Sequence, residues 1–263
     1  MNSFHVTLPS DSSVNYFPDN TVANYVTKLP DRLVLDGDYE VGLAEIIYPH
    51  SWYNVNTEGD RYWFGFMNEL GSELKKFFLP SGYYADGSEL AATLNRIAQN
   101  AIDEYAPNPD LKIKFHYEPI TNKFTIEFRS KVLPPRLVIS DKLKKLLGFT
   151  GTWSGFTAKY MTATNPVDLN QNLDLIFVYC DIASHQCVGD IKAPLLRVVN
   201  VSGRHRSLFR NVYTHPIYVP VERRDFDSIQ ISLYSQTGQP IPFQFGKSVV
   251  TLHFRRKHSL LSI

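Results

Sequence analysis

Residues 225–256 have the sequence DFDSIQISLYSQTGQPIPFQFGKSVVTLHFRR, and this stretch decides the fold class. Apolar and polar side chains alternate from Ile229 to Tyr234, which is the period of two expected for a strand with one buried face. Turn residues follow at 238–240 (Gly-Gln-Pro) and 245–247 (Phe-Gly-Lys), and SVVTLHFRR then predicts a second strand. This region therefore indicates β structure.

The same pattern extends upstream through the last third of the chain and reappears at its start. LDLIFVYCDI (173–182), APLLRVVNV (193–201) and PIYVPV (216–221) follow at spacings typical of a β-sandwich. The first of these is apolar on both faces, so we expect it in a covered sheet. Near the N-terminus, two apolar runs flank 36–38 (Asp-Gly-Asp), which predicts a hairpin.

The middle of the chain follows a different pattern, with the order strand, strand, helix, strand, strand, helix over residues 58–150. Asp86 and Glu89 have the spacing of a capping box at the start of a long helix. Ser140 is placed to cap a short helix that Gly148 ends. We expect a small α+β, β-grasp-like module with one helix across one sheet. It would be inserted into a sandwich built from residues 1–57 and 151–263, so the protein is mainly β.

Composition excludes several classes of protein. Hydrophobic residues make up 43% of the 263 residues and charged residues 20%, which is typical of a folded globular chain. No basic, apolar leader resembles a signal peptide, and no apolar stretch is long enough to span a membrane. With two cysteines, a disulfide scaffold is excluded and a reducing, intracellular compartment is expected.

Charge is divided unevenly along the chain. Residues 1–190 carry 16 basic and 23 acidic side chains, whereas residues 191–263 carry 11 basic and 3 acidic ones. One interpretation is a basic face that meets a polyanion or the acidic face of a neighbouring copy. The other is a solvated surface on which the charges mix in three dimensions.

No catalytic constellation is present in the sequence. Nucleotide-binding glycine motifs, His-Glu-x-x-His and a true nucleophile elbow are missing. Cys180, Asp181, His185 and Cys187 form the best metal-like group, but their spacing differs from that of structural zinc sites. We therefore predict no catalytic, metal or cofactor-binding site. Clusters of basic residues at 204–210 and 255–258 are suited to a phosphate backbone or an acidic partner, or are a solvated loop and tail.

Several long blocks resemble the penton, or minor capsid, proteins of Polinton/Maverick elements, adintoviruses and virophages. In the N-terminal part they are LPSDSSVNYFPDNTVANYVTKLP (8–30) and DGDYEVGLAEIIYPHSWYNV (36–55). Towards the C-terminus they are LIFVYCDI (175–182), VGDIKAPLLRVV (188–199) and the stretch from Pro216 to Arg255. The central module is similar in pattern, although SGRHRSLFRN (202–211) is more basic than expected.

This resemblance implies a jelly-roll sandwich and a structural, non-enzymatic role in the virion. The protein would form a homopentamer at the vertices of an icosahedral capsid, beside a double jelly-roll major capsid protein. The uneven charge adds packaged DNA as a candidate partner of the basic C-terminal third. A host receptor is a candidate partner of the inserted module, because an outward-facing insertion is where a vertex protein would meet a cell. A copy integrated in a host genome would have the same fold.

Under this resemblance we assign candidate interface residues. Arg204, Arg206 and Arg210 would contact an acidic neighbour. Arg255, Arg256 and Lys257 would face the shell interior or an adjoining capsomer. Trp153 would be an exposed aromatic anchor, or a tryptophan folded back on the core.

Two other classes of function remain as alternatives. A cellular jelly-roll module that binds a ligand, a carbohydrate or a protein would need an aromatic pocket, which Tyr83-Tyr84 and Trp52-Tyr53 could line. A cupin-type metalloenzyme would need clustered histidine and carboxylate ligands, whereas the eight histidines are scattered.

Overall fold

The structure is a computed structural model that describes residues 3–56, 62–67, 74–105, 111–129, 136–151, 160–170, 173–201 and 203–257. Trp153, one of the predicted interface residues, lies outside the described residues. The elements in chain order are β1 (Ser3–Pro9), β2 (Asn24–Val34), β3 (Tyr39–Pro49), β4 (Trp63–Met67), β5 (Leu74–Phe78), α1 (Gly87–Tyr105), β6 (Lys112–Glu118), β7 (Lys123–Arg129), β8 (Arg136–Ile139), α2 (Asp141–Leu146), β9 (Tyr160–Thr162), β10 (Leu175–Cys180), β11 (Gln186–Val188), β12 (Ile191–Ala193), β13 (Leu195–Asn200), β14 (Leu208–Val212), β15 (Tyr218–Pro220), β16 (Asp225–Ser235) and β17 (Val249–Arg256).

The chain forms two compact units. The first consists of Met1–Trp52 and Asn172–Ile263, and the second is Tyr53–Gln171. The second unit extends beyond the 58–150 module expected from the sequence at both ends. Val55 bridges to Gly82, and β9 pairs with β7, so backbone hydrogen bonds hold these flanking segments to the module.

The first unit is a jelly roll, which confirms the predicted fold class. One sheet has the order β1-β17-β3-β14, with β15 also on β3, and the other has the order β13-β10-β16-β2. Eight strands pair in nested antiparallel fashion: β1 with β17, β2 with β16, β3 with β14, and β10 with β13. Such nesting is a long hairpin folded over into two sheets, as in eight-stranded jelly rolls.

Alternating side chains from both sheets fill the core of this unit. Ile229, Ile231 and Leu233 of β16 are fully buried, as their spacing predicts, and so are Val250 and Leu252 of β17. The hydroxyl of Tyr25, on β2, donates a hydrogen bond of 3.1 Å to the Leu8 carbonyl of β1 and so joins the two sheets. Burial raises the pKa of Tyr25, so the phenol remains a neutral donor.

The hairpin predicted at 36–38 is wrong. β2 pairs with β16 in the four-stranded sheet, whereas β3 pairs with β17 and β14 in the other sheet. The Asp-Gly-Asp turn carries the chain from one sheet to the other. Turn residues between two apolar runs predict that the chain reverses direction there. Whether the two flanking strands then pair with each other depends on the distant strands that compete for their edges.

In the second unit, the predicted local signals are present but the sheet is divided. β4, β5 and β8 form one three-stranded sheet, and β6, β7 and β9 form another, in place of the single sheet expected. A variant of the predicted capping box begins α1: the Glu89 N–H donates to Asp86 Oδ1, whereas Glu89 Oε2 accepts from the N–H of Ala85, the residue before the cap, each at 2.9 Å. Ser140 accepts from the Leu143 N–H and caps α2.

Gly148 ends α2 at a position that requires glycine for two reasons. Its φ is +83°, and a Cβ there would lie 2.1 Å from the Asn165 carbonyl oxygen. Gly189 also has a positive φ, +60°, but a Cβ there would have no neighbour within 4 Å. A substitution at Gly189 would therefore introduce backbone strain alone, whereas a substitution at Gly148 would introduce both backbone strain and steric overlap.

We expect Gly148→Ala to lower the free energy of unfolding by roughly 3 kcal/mol or more, since strain and overlap both apply. The matched control Gly189→Ala should cost roughly 1 kcal/mol, because strain alone applies. Urea unfolding of both variants measures the difference. Equal losses would contradict the steric role of the Asn165 carbonyl.

Candidate interaction surface

The jelly roll brings the acidic and basic parts of the sequence together. On neighbouring strands β3 and β17, Glu40 and Arg255 form an ion pair of 2.9 Å. Arg210, on the edge strand β14, pairs with Glu45 of β3. Among the described residues, three further ion pairs join a basic residue of the last third to an acid of the first 190 residues: Arg223–Asp181, Arg224–Asp38 and Lys247–Asp11. The structure thus favours a mixed, solvated surface over an uncompensated basic face.

A ladder of polar and aromatic side chains crosses the outer face of the five-stranded sheet. His5 and His253 lie opposite each other on β1 and β17, with ring centroids 4.5 Å apart. A hydrogen bond of 2.7 Å joins His253 Nδ1 to the Tyr218 hydroxyl. Arg255 lies over the Tyr218 ring, at 3.6 Å from its centroid. These contacts hold Arg255 on its own sheet.

Burial is the main cause that lowers the pKa of His253. The positive charges of neighbouring His5 and Arg255 lower it further. The His253 ring is therefore neutral in the folded protein near pH 7, which suits a hydrogen bond with the phenol.

Arg256 and Lys257, at the end of β17, differ from Arg255. The Arg256 guanidinium lies against Gly37 in the turn between β2 and β3, and the Lys257 N–H donates to the Asp38 carbonyl at 2.7 Å. Both side chains are exposed. No carboxylate in the described part of the chain lies within ion-pair distance of either, so both charges face solvent.

The loop at 203–207 holds Arg204 and Arg206 outward. Gly203 and Arg206 both have positive φ angles, +90° and +67°. The Arg206 N–H donates to the His50 carbonyl at 2.8 Å, and the His50 N–H donates to the Ser207 carbonyl at 2.9 Å. These backbone bonds fix the loop to the segment after β3, and among the described residues no acid forms an ion pair with either arginine.

Two histidines under this loop are held neutral near pH 7. Burial lowers the pKa of His50, against a backbone hydrogen bond at Gly203 that raises it. Burial also lowers the pKa of His205, as do coulombic repulsion from His50 when that ring is protonated and the charge of Arg206. Since their rings are 5.8 Å apart, protonation of one disfavours protonation of the other.

The predicted arginine group therefore separates into two kinds. Arg204 and Arg206 are exposed cations on a fixed loop, whereas Arg210 lies in β14 with its charge compensated by Glu45. Arg210 was predicted from the sequence as an interface residue, whereas its outward neighbours Leu208 and Val212, which are 69% and 57% exposed, were not. The alternation Leu208-x-Arg210-x-Val212 was the available signal.

The metal-like group and the aromatic pairs have structural roles. Cys180 is buried, Asp181 pairs with Arg223, and His185 contacts Glu222 at 3.2 Å. Among the described residues, no three histidine, cysteine or acidic side chains are grouped as metal ligands. Trp52 packs in the jelly-roll core against Phe243, and Tyr84 packs in the core of the second unit. One member of each aromatic pair thus provides core packing, whereas Tyr53 and Tyr83 are half-buried.

Arg255→Ala should lower the free energy of unfolding by about 1 kcal/mol, because it removes both the ion pair with Glu40 and the contact with the Tyr218 ring. Arg204→Ala is the matched control, because it removes an exposed arginine without an ion pair in the described structure. Urea unfolding of the two variants tests this. Equal stability of both variants would show that the ladder does not hold Arg255.

Stability of the jelly roll should fall as the pH is lowered from 7 towards 5. The pKa of His253 is lower in the folded than in the unfolded state, so the unfolded state binds more protons in this range and is favoured. The pKa values of His50 and His205 are also lowered in the folded state, so these residues likewise reduce stability as the pH falls. His253→Gln should reduce the pH dependence of the urea midpoint, whereas the exposed His215→Gln should leave it unchanged. An identical slope for His253→Gln and the native chain would exclude a role for the ladder.

Neither helix in the described residues has the length and apolar character needed to cross a membrane.

No protein-family model matches the sequence, and no curated protein matches it either. Two solved structures are similar in fold. The mavirus penton protein has a TM-score of 0.53 at 13% identity, over 97% of this chain and 98% of that one. A chain in the cryo-EM structure of the Sputnik virophage has a TM-score of 0.50 at 13% identity, over 98% of both chains. The fold shared with these two chains therefore extends over both units.

Proposed function

We propose that this chain is a capsid vertex protein: a structural, non-enzymatic subunit that assembles as a homopentamer in an icosahedral virion. The observation that carries the proposal is the likeness to the mavirus penton protein over nearly the full length of both chains. The likeness includes the module between β3 and β10, a placement that an unrelated jelly roll has no physical reason to share.

The character of the described residues supports a structural role. Several basic side chains are paired within the chain, and Arg204 and Arg206 are exposed single charges. Among the described residues, no three histidine, cysteine or acidic side chains are grouped as metal ligands. The exposed surface is therefore available for contacts with other proteins. A vertex protein needs this, since it contacts its own copies and, in our proposal, a double jelly-roll major capsid protein.

The exposed cations have a place in this proposal. Arg204 and Arg206 would meet an acidic surface of a neighbouring subunit, and Arg256 and Lys257 would meet an adjoining capsomer or packaged DNA. The protein would be assembled inside the cell and located at capsid vertices. The module would be the part available to a host receptor.

The alternative of a cellular ligand-binding jelly roll has less support. Trp52 and Tyr84, offered as pocket residues, are buried in the two cores. A shallow pocket between residues 16–20 and β2 has polar groups that already bond one another: Gln230 Nε2 donates to Asn24 Oδ1, and Asn20 Nδ2 donates to the Val26 carbonyl, each at 2.9 Å. A ligand there would have to displace these bonds.

The solution mass of the purified chain tests the proposal. Light scattering should give five times the mass of one chain, and negative-stain images should show closed rings of five. The chain should also enter shells when it is co-expressed with a double jelly-roll major capsid protein. A chain that stays monomeric and is left out of such shells would overturn the proposal.

A further inference from the structure

The outer face of the four-stranded sheet carries an apolar surface. β10 is an inner strand of this sheet, and its inward residues Ile176, Val178 and Cys180 are almost completely buried. Its outward residues Leu175, Phe177 and Tyr179 are apolar or aromatic as well, and are half-buried. A strand that is apolar on both faces is typical of a sheet covered on both sides.

Neighbouring strands extend this surface. Val198 of β13 and Tyr234 of β16 flank Phe177 directly, and the rings of Tyr179 and Tyr234 meet edge to face at 5.8 Å. Val198 is 38% exposed. We call this surface the aromatic patch; it consists of Leu175, Phe177, Tyr179, Val198 and Tyr234. Its area is the kind that dominates protein interfaces, because tyrosine and phenylalanine are enriched there.

The border of the aromatic patch is polar, and part of it is hydrogen-bonded within the chain. Asn24 Oδ1 accepts hydrogen bonds of 2.9 Å from Gln230 Nε2 and from the Ser232 hydroxyl. These bonds remain in place when water is removed, so the atoms that form them are not left without a partner when a protein covers the patch.

A second apolar surface lies on the other sheet. Leu208, Arg210 and Val212 point outward from the edge strand β14, and we call them the edge ridge. Arg210 is neutralised by Glu45, so the ridge carries no net charge. Like the aromatic patch, the edge ridge is largely apolar and carries no net charge. Arg210 also suits an aromatic surface, because a guanidinium stacks on tyrosine rings.

We infer that the edge ridge of one copy docks on the aromatic patch of the next, head to tail, and that this contact closes the ring of subunits. The two surfaces belong to different sheets of one sandwich, whose outer faces point in opposite directions. Two different, complementary surfaces on opposite sides give a heterologous contact, which repeats around a closed ring. The inference rests on the proposed function. It places Arg210 against the aromatic rings of the next copy and not against an acidic partner.

Two variants test the two sides of the contact separately. Phe177→Thr removes the central ring of the aromatic patch, and Leu208→Thr/Val212→Thr removes the apolar part of the edge ridge. Threonine retains β propensity, so both variants should fold. The control Ile120→Thr changes an apolar residue that is 91% exposed in a turn of the second unit. Urea midpoints verify folding.

Both interface variants should raise the dissociation constant of the ring roughly tenfold or more, measured by light scattering over a dilution series. The control should match the native chain. A mixture of the two variants should give dimers of two chains, because the intact ridge of the first variant meets the intact patch of the second. No ring should form, since every further contact lacks one side.

The outcomes separate this inference from the proposed function. Rings of native stability in both folded variants would overturn the inference and leave the proposed function in place. If the native chain assembles only with a major capsid protein, the variants are compared by their incorporation into co-expressed shells. If the variants enter these shells as efficiently as the native chain does, the inference is overturned in this assay as well. Failure of the native chain in both assays would overturn the proposed function and the inference with it.

Discussion

The pairing of the first strand with the last is the constraint on which the structure of the jelly roll depends. Residues Ser3 to Pro9 lie in register with Arg255 to Val249, and every inner pair of strands is nested within this closure. Because β17 is the one strand that pairs with β1 in the described part of the chain, loss of this pairing would expose a sheet edge and one side of the core. The closure also explains the distribution of charge. An acidic first part and a basic last part become partners when the chain folds back on itself, as Arg255 and Glu40 do on adjacent strands.

Nesting leaves the connection between β3 and β10 free to carry a second unit. Both strands have their partners within the jelly roll, so the residues between them need not supply any sandwich strand. The module is stabilised by its own local features: the Asp86 and Glu89 side-chain bonds at the start of α1, a serine cap on α2 and a separate aromatic core around Phe64 and Phe115. Loop-closure entropy grows slowly with length, so the cost of such an insertion is small when the inserted residues fold by themselves.

Local features could be predicted from the sequence, because local physics determines them. The caps at Asp86 and Ser140, the inward face of β16 and the hairpin of β6 and β7 depend on neighbours within a few residues. The turn at Asp36 to Asp38 was misjudged because pairing is decided by strands nearly two hundred residues away. The partners of Arg210 and Arg255 could not be found for the same reason. Glu45 and Glu40 are remote in sequence and become neighbours only in the nested sheets.

The inward side of β10 is buried in the jelly-roll core, whereas its outward side is only half-buried although its residues are apolar or aromatic. Ile176 and Val178 complete the core, so the jelly roll would be as well packed with polar residues at Leu175, Phe177 and Tyr179. Such residues would also be less prone to aggregation on an open sheet face. An outward aromatic surface therefore has a physical reason when a second protein covers it. The border of this surface points the same way, since Asn24, Gln230 and Ser232 are bonded to each other before any partner arrives. In the proposed ring this surface would become fully buried against the next subunit, as a subunit of a closed ring requires.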